Sequence, residues 1–174
     1  MKIIEQEEVR KLLQPKDCIQ LMAEALKGLE SGEYAQPARL ITVMPNTAKF
    51  GFMPAYVGDY FGAKVISAFA PNMGTKYPSH IGYVMLFESA HSTVAGMIEA
   101  GSITEIRTGA VSAAATDLLA RKDSHKLALI GAGAQARSHL AAIREIRDIT
   151  SVTVYDLFPQ AAERFAKDMH EKYK

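Results

Sequence analysis

Tryptophan is absent from the 174 residues, cysteine occurs once, and neither sign of charge prevails: 20 Lys and Arg oppose 19 Asp and Glu, a formal net charge of +1. Each shortage excludes something. Cys18, with no second cysteine, cannot form a disulfide within the chain and has no CxxC partner for a metal, so it reads as an ordinary helix residue. Balanced charge without clustered Lys and Arg gives no electrostatic reason for nucleic acid, leaving a small or weakly charged ligand as the expected partner. No apolar run approaches the roughly 18 to 20 residues that span a bilayer, and the start MKIIEQEEVRK is too charged for a secretory signal. No membrane partner is expected, and the cytoplasm is the expected location. His80, His91, His125, His139 and His170 lack ligand-like spacing, so no metal is expected. There is no internal repeat and no low-complexity segment. What is present, 48% apolar and 22% charged residues, suits a globular protein of one or two domains with a buried core.

The pattern of apolar residues changes regime along the chain. In KDCIQLMAEALKGLES (16 to 31), Ile19, Met22, Leu26 and Leu29 fall at helical spacing and Gly32 follows as a stop. From Arg39 to Ala100 come short β-like runs, ARLITVMP, FGFMPAYV, FGAKVISAF, GYVMLFES and TVAGMIEA, parted by turn-rich pieces. Their short connections predict a mostly antiparallel sheet. APNMGTKYPSH (70 to 80) is long enough to be a functional loop. GSITEIRTGAVSAAATDLLARK then reads as a long helix over 103–121, and after Asp123 and Ser124 strands and helices alternate: LALIG, AQARSHLAAIREIR, SVTVYD and FPQAAERFAKDMHEKY. Such alternation marks a parallel α/β unit. The expected fold is α/β, with an N-terminal α+β domain over 1–123 and an incomplete Rossmann βαβα unit over 124–174.

The strongest motif is Gly131-Ala-Gly133-Ala-Gln-Ala136, a GxGxxA that follows a strand and opens a helix. Gly131 permits the tight turn, Gly133 lets backbone approach a pyrophosphate, and Ala136 is small enough for close helix–strand packing. The helix N-terminus offers free N–H groups to the phosphates. A second strand ends in Asp156, whose carboxylate suits ribose hydroxyls and repels a 2′-phosphate, so NAD is expected over NADP.

Three basic residues in the first half invite a function. Ser102-Ile-Thr-Glu105 fits a capping box that would start its helix near Ile103, putting Arg107 near the first turn. A cation there opposes the helix dipole unless an anion intervenes, so Arg107 is either a solvated surface group or a holder of carboxylate or phosphate. Lys64 in FGAKVISAF has apolar neighbours on both faces of its strand, and either snorkels from a strand end or meets an anion in a cavity. Desolvated, it would be a plausible proton donor or acceptor. Arg39, in ARLITVMP, is the third.

Together, PAR at 37 to 39, FMPAY at 52 to 56, GAK at 62 to 64, the PN of APNMG, IRTGAVSAAA at 106 to 115 and IGAGAQA at 130 to 136 resemble the ornithine cyclodeaminase and μ-crystallin family over nearly the whole chain. The resemblance implies a substrate domain on an antiparallel sheet that pairs across a homodimer, joined to a Rossmann domain. It implies that Arg39, Lys64 and Arg107 hold a substrate carboxylate, that Lys64 is catalytic through proton transfer, and that Arg107, Ser79, Ala134, Gln135 and Asp156 contact the cofactor. Ser79 stands where the family usually has threonine. The implied activity is NAD-dependent conversion of L-ornithine to L-proline and ammonia. Relatives dehydrogenate alanine or reduce cyclic ketimines with NAD(P)H, and a non-catalytic, μ-crystallin-like ligand-binding role is the reading from another class. The family chain is much longer, so the sequence is expected to be part of a longer protein, to be completed by a partner, or to be a truncated relative.

Overall fold

The computed structural model describes residues 1–174, in the order β1 (Lys2–Ile4), α1 (Gln6–Leu12), α2 (Pro15–Ser31), β2 (Leu40–Val43), β3 (Lys49–Val57), β4 (Tyr60–Ala68), a 3₁₀ turn at Ala70–Asn72, β5 (His80–Glu88), β6 (Val94–Glu99), α3 (Ala100–Leu119), β7 (Lys126–Ile130), α4 (Ala134–Arg144), β8 (Ser151–Tyr155) and α5 (Pro159–Lys172). Two compact units emerge, Met1–Leu13 with Glu24–Thr104, and Gln14–Ala23 with Glu105–Lys174. The chain passes between them three times, once between α1 and α2 and then inside α2 and α3, whereas the expected domains meet once, after residue 123. A long helix has no breaker at such a point, so composition gives no sign of it.

The first unit is a six-stranded sheet in the order β1-β6-β5-β4-β3-β2. Strands β2 to β6 pair antiparallel with their sequence neighbours, as hairpin connections require, while β1 joins β6 in parallel. The expected mostly antiparallel sheet is present. Strand β1 and helix α1, which buries Val9, were not anticipated. Cross-strand partners share a face, so the register sorts the side chains. Phe52, Val65 and Tyr83 lie on one face with Phe50, Ser67 and Ile81, and Phe61 stacks on Phe87 there at 5.2 Å. Met53, Lys64, Val84 and Ile98 form a row on the other.

α3 starts at Ala100, one turn earlier than the capping box indicates. The Glu99 carboxylate accepts the amides of Gly101 (2.5 Å) and Ser102 (2.8 Å), so Glu99 is the cap. Ser102 is instead fully buried, and its hydroxyl has no hydrogen-bond partner.

In the second unit β7 and β8 pair in parallel, from Lys126 opposite Ser151 to Ile130 opposite Tyr155. Two cores hold it. Ala132, Leu140 and Phe165 pack with Leu127, Leu129, Ala136 and Val154, and Ala113 packs with Ala142, Ile143 and Ile19. Arg147 is nearly buried and ends α3: its guanidinium donates to the carbonyls of Thr116, Asp117, Ala120 and Arg121 and to the Asp117 carboxylate. These carbonyls lie at and just past the end of α3, where intrahelical donors run out, and Arg147 shares them with the Ala120 and Ser124 amides and Lys122 Nζ.

Candidate nucleotide and carboxylate sites

The second unit builds its site on the elbow between β7 and α4. Gly131 has φ of 98°, a conformation that strains any residue with a Cβ, and its amide is held by the Tyr155 carbonyl at 2.7 Å. Gly133 is different. As the N-cap of α4 its φ is an ordinary −81°, and a Cβ built there meets no atom within 4 Å. Neither conformation nor packing inside the protein needs a glycine at 133. The open space lies at a helix end whose first-turn amides have no side-chain cap, the geometry that suits a phosphate. Ala136 packs against the Ala132–Leu140–Phe165 core, so its smallness lets α4 lie close to the strands.

Asp156 reaches this elbow from the end of β8. Its Oδ2 accepts the Ala132 amide at 2.8 Å and its Oδ1 the Phe158 amide at 2.9 Å. The Phe158 and Ala132 amides hold the carboxyl below the usual carboxylate range. Each oxygen keeps a second lone-pair direction, so an ionised Asp156 can latch the elbow and still accept ribose hydroxyls. Ala134 and Gln135 are exposed in the first turn of α4, and the Gln135 carbonyl accepts the Ser138 hydroxyl at 3.0 Å and lies 2.6 Å from His139 Nδ1. The chain therefore brings Gly131, Gly133, Ala134, Gln135, Ala136 and Asp156 to one corner. A hollow of about 580 Å³ beside β8, lined by Leu140, Val152, Phe165 and His170 among others, shares none of these residues.

Arg107 is also in this unit, half-buried on α3. Because the helix starts at Ala100, Arg107 is its eighth residue, and the dipole argument made from the sequence does not apply: the effect fades after the first turn. Burial pushes the thiol of fully buried Cys18 up, and the Arg107 guanidinium pulls it partly back.

In the first unit, Lys64 is half-buried in the middle of β4 and its Nζ donates to Thr104 Oγ1 at 3.3 Å. Arg39 lies just before β2 and is exposed. Leu40 pairs with Phe52, and Met53, the next residue of β3, pairs with Lys64. Arg39 thus enters the sheet edge next to β3, while Lys64 sits on the β4 strand beyond it. Two cations with side chains of that length can serve one carboxylate. Ser79 is in the loop just before β5. Its carbonyl accepts the Phe69 amide, and its hydroxyl lies 3.1 Å from His80 Nδ1. Phe69 is five residues along from Lys64, about 17 Å in an extended strand. The sequence reading missed Thr104, whose only signal was its place three residues before Arg107.

The chain is similar to known proteins over its whole length. Residues 1–174 match the Ornithine cyclodeaminase/mu-crystallin family. Ketimine reductase mu-crystallin of Mus musculus is 33% identical over 148 residues, covering 83% of this chain and 47% of its own length. The structure of Thermococcus litoralis Δ1-pyrroline-2-carboxylate reductase, in complex with NADH and L-proline, superposes with a TM-score of 0.92 at 34% identity and covers 99% of this chain and 54% of that one. An archaeal alanine dehydrogenase dimer with bound NAD also gives 0.92, at 27% identity, covering 98% and 53%. The chain spans about half the length of the relatives it matches. A match running through every residue, shared by both units of the fold, places the chain in the ornithine cyclodeaminase/mu-crystallin family.

Proposed function

We propose that the chain supplies the carboxylate-binding and nucleotide-binding parts of an NAD(H)-dependent oxidoreductase of amino or imino acids, and that its reaction is the reduction of an imine α to a carboxylate. The observation that carries the reading is Gly133: a glycine that neither its backbone angles nor its packing demands, at a helix end with no side-chain cap and beside a carboxylate. A dinucleotide accounts for all three. The α4 amides would take the pyrophosphate and Asp156 the ribose hydroxyls, which disfavours NADP. Bound NADH would supply a hydride to the imine carbon. The imine nitrogen needs a proton, and the Lys64 ammonium can give one while it and Arg39 hold the substrate carboxylate. Arg107 is assigned to the same substrate carboxylate and to the cofactor, and Ser79 to the cofactor.

Imine reduction is placed ahead of the conversion of L-ornithine to L-proline because two of the three similar proteins named above are imine reductases and the third is an alanine dehydrogenase. Cytoplasmic residence is part of the proposal, consistent with no helix being long and apolar enough to cross a membrane.

The test is direct. The purified chain is given NADH with Δ1-pyrroline-2-carboxylate, and separately NAD with L-ornithine or L-alanine, and proline, ammonia and nucleotide oxidation state are followed. NADH consumption with stoichiometric proline is the expected result. Proline and ammonia from ornithine would move the assignment to cyclodeamination, and no binding of either nucleotide would defeat it. Lys64→Ala and Arg107→Ala should weaken substrate use far more than NAD(H) binding; equal losses would refute the division of roles.

A further inference from the structure

Helices α3 and α4 touch along a seam of unusually small residues. Gly109 is buried, and a Cβ there would come within 2.5 Å of the Ser138 carbonyl oxygen, 2.7 Å of its carbon and 3.1 Å of the His139 nitrogen. All three are backbone atoms, which cannot swing aside as a side-chain tip can. One turn later on both helices, Ala113 packs with Ala142 and Ile143, and a further turn on Arg147 binds Asp117. The first two contacts advance together, so the two helices run the same way and are fixed in axial register at two levels, with Arg147, just past the end of α4, tying down the end of α3.

The other side of α4 is packed as well, at its N-terminal half. Leu140 and Ala136 press on Phe165, Ala132 and the strands β7 and β8. The second turn of α4, against which Gly109 sits, is tied in turn to the first, since the Ser138 hydroxyl donates to the Gln135 carbonyl and His139 Nδ1 lies 2.6 Å from it. A displacement at Ser138 is therefore passed to Ala134 and Gln135, the turn that opens the glycine elbow.

We infer that Gly109 is a positioning residue for the nucleotide site: by lacking a side chain it lets α3 touch the α4 backbone and sets where the phosphate-facing amides of α4 stand. This rests on the dinucleotide reading of the elbow. A methyl at 109 needs about 1 Å of additional separation to reach an ordinary contact, and misplacements of that size reduce binding and catalysis by about ten- to a hundredfold. Gly109 touches no ligand in this account; it acts through α4.

Three variants test it, Gly109→Ala, Ala113→Gly and Gly133→Ala, each followed by thermal melting, by amide hydrogen exchange at residues 132 to 139 without nucleotide, and by NADH titration. Gly109→Ala is expected to fold, to speed exchange or shift amide resonances in the first turn of α4, and to weaken NADH by at least about tenfold. Ala113→Gly loosens the same seam without pushing α4, and is expected to lower the melting temperature while leaving NADH affinity within about twofold. Unchanged amides and affinity in folded Gly109→Ala would overturn the inference. So would affinity losses in Gly109→Ala and Ala113→Gly that track their stability losses alike. Should Gly109→Ala not fold, Ala113→Val pushes α4 one turn further from the elbow, and an unperturbed elbow in that folded variant would overturn it equally. If the unmodified chain binds no NADH, the dinucleotide reading fails on its own, while the exchange data still decide whether Gly109 sets the α4 N-terminus.

Discussion

At the scale of single residues, the two glycines of the elbow are glycine for different reasons, and substitution separates them. Gly131→Ala must hold an alanine at φ of 98° and should lose roughly 1 kcal/mol or more of stability. Gly133→Ala meets no steric or conformational obstacle, so its melting should stay within about 0.5 kcal/mol of the parent while NADH binding falls at least tenfold. A stable Gly133→Ala that binds NADH normally would remove the reason for a ligand there. Asp156 makes a second prediction, through pH. Its folded carboxyl is held down by the Phe158 and Ala132 amides, so its stabilising contribution is complete above the ordinary aspartate value near pH 4 and is lost as pH falls through the lower folded value. In Asp156→Asn one of the two amides faces an NH2 group instead of an acceptor. The stability gap between parent and variant, measured by denaturant titration, should therefore be constant above about pH 5 and shrink below pH 4. A gap that widens with acid would show that another group controls it. The same variant should bind NADP better relative to NAD, because the charge that repels a 2′-phosphate is gone.

Elements show which features are legible in a sequence and which are not. The elbow was legible because its chemistry is local: a strand, two glycines, a small residue and a helix in sequence, then an acid at the end of the next strand. Strands β2 to β6 were legible from alternation and turn residues. Strand β1 was not, because Lys2–Ile4 is too short to show a period and its partner is Gly96–Ile98, far along the chain. The start of α3 was misread because Ser102 and Glu105 have capping-box spacing while Glu99, ending the preceding strand, does the capping. Arg147 was invisible for the same reason as β1: the carbonyls it closes are 26 to 31 residues away. It gives the prediction for this scale. Arg147→Met takes a shared donor from the end of α3: the Thr116, Asp117 and Arg121 carbonyls keep the Ala120 amide, Lys122 Nζ and the Ser124 amide, and the half-exposed Asp117 carboxylate can turn to water and to Lys122. The expected loss is about 2 kcal/mol, less than for a pair buried on both sides, read as a melting temperature lower by about 4 to 8 °C. A change under 1 °C would mean that α3 ends stably without it.

For the whole molecule the open question is what covers the outer face of the sheet. Leu40, Phe50, Phe52, Tyr56 and Ile81 are each more than 40% exposed, and the strand register puts all five on the face that carries the Phe61–Phe87 stack. A contiguous apolar face of this kind is uncommon on a monomer. The opposite face also exposes Ile41, Val43, Val57 and Tyr60, but there Lys64 is engaged by Thr104 and Gly51 and Gly96 are buried. A second copy is the proposed cover, since a face presented to its own symmetry mate is self-complementary and the archaeal alanine dehydrogenase of the same fold is a dimer. Light scattering should then report twice 19.0 kDa for the unmodified chain. Phe52 lies centrally, between Leu40 on one side and Val65 on the other, and Phe52→Glu would place a carboxylate against the partner's apolar surface. Burying an unpaired charge should raise the dimer dissociation constant by about a hundredfold or more. Lys49→Glu, on the opposite face of the same strand, should leave the mass unchanged. A monomeric parent, or a Phe52→Glu variant as dimeric as the parent, would show that this face does not bind a second copy. Because Lys64 sits on the other face, a monomeric Phe52→Glu should still bind L-proline, and a loss of that binding would mean that the partner contributes to the carboxylate site.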